Sequence, residues 1–321
     1  MTERSNLLEV EKLGVTYGSG RHRLVAVDDV SFALPAGRTL GLVGESGCGK
    51  SSLARAILRL EECTGDVRFC GQDWLALDGG ALRQARRQLQ AVFQDPLASL
   101  DPGLTVRQSL LEPLRVHRPH DAPDEQQQRV TRILRRVGLD EEYLDRYPHE
   151  LSGGQCQRVG IGRALVSSPA LVVLDEPVSA LDMSIRGQIL ELLASLQQDS
   201  GLAFLFIAHD MTAVRYLCHD VMVMYRGRIV EAASREQLFE HPAHPYTREL
   251  LRAVLPPDRH TQPPPDARPI DVAAMAGAAC PFAPRCRFAT PQCEDETPAL
   301  RDLGGGHQVA CHHAEALPGW S

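Results

Sequence analysis

The residues with the clearest chemistry lie between positions 44 and 52. Gly44-Glu45-Ser46-Gly47-Cys48-Gly49-Lys50-Ser51, followed by Ser52, fits the spacing G-x-x-x-x-G-K-[ST]. Glycines at 44, 47 and 49 let the backbone curl until its N–H groups point at phosphate oxygens. The helix that follows adds its positive N-terminal end. Lys50 supplies a compact charge to the β- and γ-phosphates, and Ser51 can ligate Mg²⁺. Only Lys12 and Lys50 are lysines in this chain, and one of the two stands where the motif demands it. Alone, the loop implies a nucleoside triphosphate site and nothing narrower.

Three further sets carry chemistry. In Leu171–Glu176, an apolar run ends on two carboxylates. Asp175 is placed to hold a Mg²⁺ shell, and Glu176 to act as general base on a water facing the γ-phosphate. In Leu151–Gln155, the sequence LSGGQ opens a helix expected over Gln157–Val166. Ser152, Gly153, Gly154 and Gln155 there form a second phosphate-binding nest. One chain cannot fold both nests around the same nucleotide. Finally, Cys280, Cys286, Cys293 and Cys311 follow the spacing C-x5-C-x6-C-x17-C. Zinc modules usually use C-x2-C pairs. Wider spacings suit a larger object held by four thiolates, such as a [4Fe–4S] cluster. Zinc with His307, His312 or His313 replacing a thiolate stays open, as do four unligated thiols.

These residues need an α/β scaffold. Residues 7–10 and 24–34 alternate like strands, while Leu40–Val43, Leu171–Leu174 and Ala203–Ile207 read as buried parallel strands. Helices are expected from Lys50 to about Leu60 and from about Ser184 to Gln198. Residues 97–150 are helical in rhythm, with breaks at Pro102, Pro113, Pro119 and Pro123. Val221–Met224 and Arg228–Glu231 read as a terminal strand pair around Gly227. Residues 256–272 read as a Pro-rich linker. The net charge of −7 argues against a general nucleic-acid binder. No apolar run approaches the roughly 18 residues that span a bilayer, and Met1–Val10 lacks a signal pattern. Membrane work would therefore need other subunits.

LSGGQ carries a family likeness. The chain resembles the nucleotide-binding subunits of ABC transporters, and the companion motifs fall in family order. The resemblance implies a P-loop ABC ATPase core with a mixed sheet, an antiparallel β subdomain and a helical subdomain. It divides the chain into a nucleotide-binding domain at 1–235 (helical subdomain about 97–165), a helix and linker at 236–272, and a four-Cys extension at 273–321. It implies ATP and Mg²⁺, with each ATP held between the P-loop of one subunit and the signature of another. Tyr17 looks like the aromatic that stacks on adenine. Gln94, in VFQDP, looks like the glutamine that senses γ-phosphate, touches the permease and joins Ser51 and Asp175 around Mg²⁺. Ser179–Asp182 matches the D-loop. His209, in FIAHD, looks like the switch histidine that bonds γ-phosphate and Glu176; with Glu176 and Lys50 it makes the expected catalytic set. Cys156 departs from the family, which usually has a long polar or basic residue there, and raises a question of altered activity or redox sensitivity.

GLVGESGCGKSSLARAILRLE, DRYPHELSGGQ, DEPVSALDMSIRGQILELL and the final HPAHPYTRELLRAV and CPFAPRC are similar to the ATPase subunits of bacterial dipeptide and oligopeptide importers. That branch implies two transmembrane permeases, a sister ATPase and, indirectly, an extracytoplasmic solute-binding protein. It also implies a cytoplasmic, peripheral place on the membrane, and a C-terminal iron–sulfur cluster in some members. Nickel-chelate or glutathione import remains an alternative, as does a soluble ABC-class ATPase unconnected with transport.

Overall fold

The computed structural model describes residues 6–20, 23–254 and 279–317. The chain runs β1 (Asn6–Tyr17), β2 (Leu24–Pro35) and β3 (Thr39–Val43) into α1 (Lys50–Ile57), then β4 (Thr64–Phe69), β5 (Gln72–Asp73), α2 (Gly79–Arg86) and β6 (Leu89–Val92). A helical stretch follows: α3 (Val106–His117), α4 (Pro123–Arg136) and α5 (Gly153–Leu165). Next come β7 (Leu171–Asp175), α6 (Met183–Ser200), β8 (Ala203–Ala208), α7 (Met211–Leu217), β9 (Asp220–Tyr225) and β10 (Arg228–Ser234). The last elements are α8 (Arg235–Glu240), α9 (Pro245–Val254), α10 (Pro291–Asp295), β11 (Arg301–Asp302) and β12 (Gln308–Val309).

Two sheets form. The smaller is antiparallel, in the order β2-β1-β4-β5, and the larger is mixed, in the order β11-β12-β10-β9-β3-β8-β7-β6. Every residue of β3, β7 and β8 is buried, as near-continuous apolar sequence in a doubly covered parallel sheet requires. In β1, Leu8, Val10, Leu13 and Val15 face the core. Their spacing slips between Val10 and Leu13, where the register with β2 shifts; the bulge restores apolar residues to one face.

Three sequence expectations change. Pro113 lies inside α3 instead of breaking it. Thr105 and Gln108 cap that helix reciprocally, and Leu110 and Leu114 are wholly buried; this packing offsets the one helix hydrogen bond a proline removes. Pro123, by contrast, begins α4, where proline fits. The β9–β10 pair is not terminal, because β12 pairs antiparallel with β10 and β11 with β12. A strand edge left open by β10 is thus covered by the Cys-bearing segment. The strands β4, β5 and β6 had no clear sequence signal. The expected linker at 256–272 lies outside the described residues.

A buried carboxylate and an aromatic cluster fasten the C-terminal segment. Glu231, in β10, has no exposed surface. It accepts hydrogen bonds from the backbone N–H of Ala243 (2.7 Å) and His244 (2.8 Å) and from His307 Nε2 (2.7 Å). A buried carboxylate is tolerated only when bonded in this way. Beside it, Tyr225, His244, Tyr246 and Phe282 pack ring against ring, with centroids 4.7–5.6 Å apart.

Burial pushes the His244 imidazole down from 6.5 to about 4, against a smaller upward pull from Glu231. Its Nδ1 accepts the Tyr246 N–H at 3.1 Å, which suits the neutral ring. The unfolded chain takes up this proton first on acidification, so stability falls as pH drops from about 6.5 to 4. This site contributes up to roughly 3 kcal/mol of that loss. Urea unfolding across this range is expected to show a steeper pH slope for the wild type than for His244→Gln.

Candidate active site

The parallel ladder sets the site. Val43 pairs with Ala208, Asp175 with Ile207, and Val92 with Leu174. The chain segments leaving these strands therefore emerge along one edge of the sheet. They carry the 44–52 loop, Gln94, Glu176 and His209. This is where ligands bind in open α/β sheets, at the carboxyl ends of parallel strands.

The 44–52 loop forms because its glycines fit where other residues do not. Gly49 has φ +110, and a Cβ there would stand 2.1 Å from the Ala26 carbonyl oxygen. A Cβ on Gly44 would stand 2.2 Å from the carbonyl oxygen of Met224. Lys50 is the first residue of α1 and is 5% exposed. Its Nζ donates to the carbonyls of Gly44 (2.8 Å) and Glu45 (3.0 Å), which keeps the positive charge within the loop. Ser51 Oγ donates to Asp175 Oδ1 at 3.2 Å. Burial raises the Asp175 carboxyl above its ordinary range; the Ser51 hydrogen bond opposes this.

Glu176 is fixed from three sides. Gln94 Nε2 donates to its Oε2 at 3.0 Å, His209 Nδ1 lies 3.3 Å from the same oxygen, and its backbone N–H donates to Ile207. Its φ is +50, the left-handed region that side chains rarely adopt. Such strain persists only where surrounding contacts over-determine it, and it clusters at functional sites. His209 stands just before α7, whose Asp210 caps it by accepting the Thr212 N–H at 2.8 Å.

Tyr17, Ser46, Gly47, Gly49, Lys50, Ser51, Ser52, Gln94, Glu176 and His209 all line one cavity of about 570 Å³. Tyr17 is held at its rim by a hydrogen bond between its hydroxyl and Ser52 Oγ, at 3.1 Å. Leu24 and Ala26 line the cavity too and had no motif to mark them. Ser152, Gly153, Gly154 and Gln155 do not line it. Helix α5 starts at Gly153, four residues earlier than expected, because Ser152 and Gln155 close a capping box. Behind the signature, a Cβ on Gly154 would meet Ile185 Cγ2 at 2.7 Å. Arg186 braces the neighbouring D-loop through the carbonyls of Ser179 (3.0 Å) and Leu181 (2.7 Å); nothing in the sequence pattern pointed to it.

Two cysteines are corrected. The Cys48 side chain turns inward, 7% exposed, so only its backbone can face a nucleotide. Cys156 is fully buried with its thiol donating to the Pro148 carbonyl, and burial raises it above the ordinary thiol range. A buried, protonated thiol is inert, which removes the redox question at that position.

Among the described residues no group of three or more His, Cys, Asp or Glu is placed to hold a metal ion, so neither the expected iron–sulfur cluster nor zinc finds support in the geometry of the four C-terminal cysteines. The zinc alternative meets a further obstacle. His307 is bound to Glu231, and His312 to the Glu296 carbonyl. His313 Nε2 does reach Cys293 Sγ, at 3.6 Å.

Glycine-cradled lysine, paired carboxylates after a buried strand, and the LSGGQ segment capping a separate helix are together the features of an ABC-type P-loop ATPase. Residues 27–179 match the ABC transporter family, and residues 230–293 match the oligopeptide/dipeptide transporter C-terminal region. The oligopeptide transport ATP-binding protein OppF of Haemophilus influenzae is 40% identical, covering 95% of this chain and 96% of that protein. OppF of Salmonella typhimurium is 42% identical, covering 92% and 89%. The chain belongs to the ABC transporter family, in its oligopeptide/dipeptide branch. Among solved structures, the dimeric ATP-binding cassette MJ0796 bound to ADP and Pi superposes with a TM-score of 0.65 at 28% identity. It covers 71% of this chain and 98% of that one. Among the described residues no helix is long and apolar enough to cross a membrane.

The close approach at Gly49 yields a direct test. Gly49→Ala must push the loop off Ala26 and accept a strained φ, so it is expected to lose at least about 2 kcal/mol of stability. Urea unfolding of the full chain measures this.

Proposed function

We propose that this chain is the ATP-hydrolysing subunit that powers import of di- and oligopeptides through a membrane ABC transporter. The observation that carries the reading is Glu176, strained and held by Gln94 and His209 at the mouth of the phosphate loop. In this reading Gly44 and Ser46–Ser52 cradle the triphosphate and Tyr17 stacks on the adenine, whereas Glu45, expected among the contacts, has its amide bonded to Tyr246 and its carboxylate to Arg285. Ser51, Asp175 and Gln94 would hold Mg²⁺, which neutralises phosphate charge; the hydroxyl–carboxylate contact and the all-oxygen donor set fit a hard cation. Glu176 accepts a proton from the attacking water as its oxygen bonds to the γ-phosphorus and the bond to the bridging oxygen breaks. His209 keeps the carboxylate turned toward that water. Ser152–Gln155 contribute to the nucleotide of a partner cassette.

The same reading divides the chain into a nucleotide-binding domain at 1–235 and an extension at 273–321. It supplies two permeases, a sister ATPase and, indirectly, an extracytoplasmic solute-binding protein, and puts the chain on the cytoplasmic face of the membrane. The test is a reconstituted transporter taking up labelled dipeptide. Glu176→Gln retains the hydrogen-bonding shape of the side chain and loses its basicity. It is expected to bind MgATP while ATP turnover falls about 10²–10⁴-fold, with uptake lost in parallel. Near-wild-type turnover would reject Glu176 as base, and ATP turnover without peptide uptake would reject the substrate class.

For Cys280, Cys286, Cys293 and Cys311 the reading is a [4Fe–4S] cluster. Burial raises the thiols of Cys280, Cys286 and Cys311, and the neighbouring cysteines add to that rise. Burial pushes the Cys286 thiol up to about 12. A bound cationic group would favour the thiolate against that burial. Anaerobically purified protein is expected to be brown and to contain about four irons per chain; colourless protein without iron would reject the cluster.

A further inference from the structure

The phosphate loop is gripped from outside the nucleotide-binding motifs. Glu45 is its second residue, and its side chain is turned away from the cavity toward the C-terminal segment. Arg285 Nη1 donates to Glu45 Oε1 and Oε2, both at 2.9 Å, while Nη2 donates to Glu249 Oε2 at 3.0 Å. The backbone N–H of Glu45 donates to the Tyr246 hydroxyl at 2.8 Å. That amide is therefore committed to Tyr246, and Glu45 serves as the handle by which the loop is held. Its carbonyl in turn accepts from Lys50 Nζ at 3.0 Å. A continuous chain of contacts thus runs from Arg285 through Glu45 to the lysine that meets the phosphates.

Arg285 is built for this task. Its guanidinium carbon lies 5.5–5.8 Å from the ring centroids of Phe282, Tyr225 and Tyr246. Its side chain keeps 21% of its surface exposed. A planar fork stacked among rings loses little further freedom when it bridges two carboxylates. Lysine has no such fork. Arg285 also stands one residue before Cys286, within the four-Cys segment, so the packing of that segment decides where the guanidinium sits.

We infer that Arg285 is a positioning residue for nucleotide binding: acting through Glu45, it holds the first turn of the phosphate loop in the shape that receives phosphate. The C-terminal segment is thereby part of the nucleotide site. This rests on the 44–52 loop being the ATP site.

The test uses the assembled transporter and MgATP. Arg285→Met is expected to raise the KM for ATP about three- to tenfold, the scale of one coupled charged pair. Its kcat should stay within about twofold, because Glu176 and its partners are untouched. Glu45→Gln should raise KM similarly, and the double variant should be no worse than either single one. Arg301→Met removes a different ion pair of the same segment, with Glu315. It should lower thermal stability and leave KM unchanged. The inference is overturned by an unaltered KM in Arg285→Met, by multiplicative effects in the double variant, or by an equal KM rise in Arg301→Met. Absence of MgATP turnover in the wild-type complex would instead overturn the nucleotide reading itself.

Discussion

Strand β8 lies hydrogen-bonded between β3 and β7, and the rest of the structure depends on that register. Because Val43 and Asp175 pair with successive residues of β8, the glycine loop, the carboxylate pair and the histidine leave the sheet side by side. None of these groups is adjacent in sequence. A slip of one residue in either ladder would turn alternate side chains to the opposite face. Every residue of the three strands is enclosed, so the register is fixed by close packing of their side chains against the layers on both faces. The core therefore does more than stabilise the molecule: it aligns the site.

Backbone strain is concentrated where packing can hold it. Glu176 sits in a left-handed conformation that costs of the order of 1–3 kcal/mol. It is held there by Ile207 through the backbone and by Gln94 and His209 through the carboxylate. Two of these clamps come from loops that carry their own family motifs.

The C-terminal segment behaves as part of the catalytic body. Its strands extend the main sheet, its His307 satisfies the wholly buried Glu231, and its Arg285 reaches the phosphate loop. A carboxylate as buried as Glu231 is costly without its three donors. Docking of the segment and integrity of β10 are consequently linked. An aromatic cluster and a bridging arginine coexist there: the rings pack against the guanidinium and hold its fork toward Glu45 and Glu249.

Much of the site was legible in the sequence, because its parts make local demands. The 44–52 loop needs glycine at particular backbone angles, the β7 strand must end on carboxylates, and the α5 start needs a cap; each leaves a mark within a few residues. Boundaries were less legible. Pro113 gave a false break, since tertiary packing of α3 outweighed a local preference, and the short strands β4 to β6 lacked a periodic run long enough to read. The inward turn of Cys48 and the burial of Cys156 were also invisible, because a motif specifies backbone shape and leaves side-chain direction to the surrounding packing. Contacts between distant residues had no sequence signal at all. Arg285 and Glu45 are 240 positions apart, and Tyr246 and Glu45 are 201 apart. Sequence alone determined the class of chemistry and pointed to the residues proposed to carry it. The tertiary structure alone decided that the cysteine-bearing segment closes the sheet and braces the phosphate loop, because such pairings arise from strand order and shared burial, which no local pattern encodes.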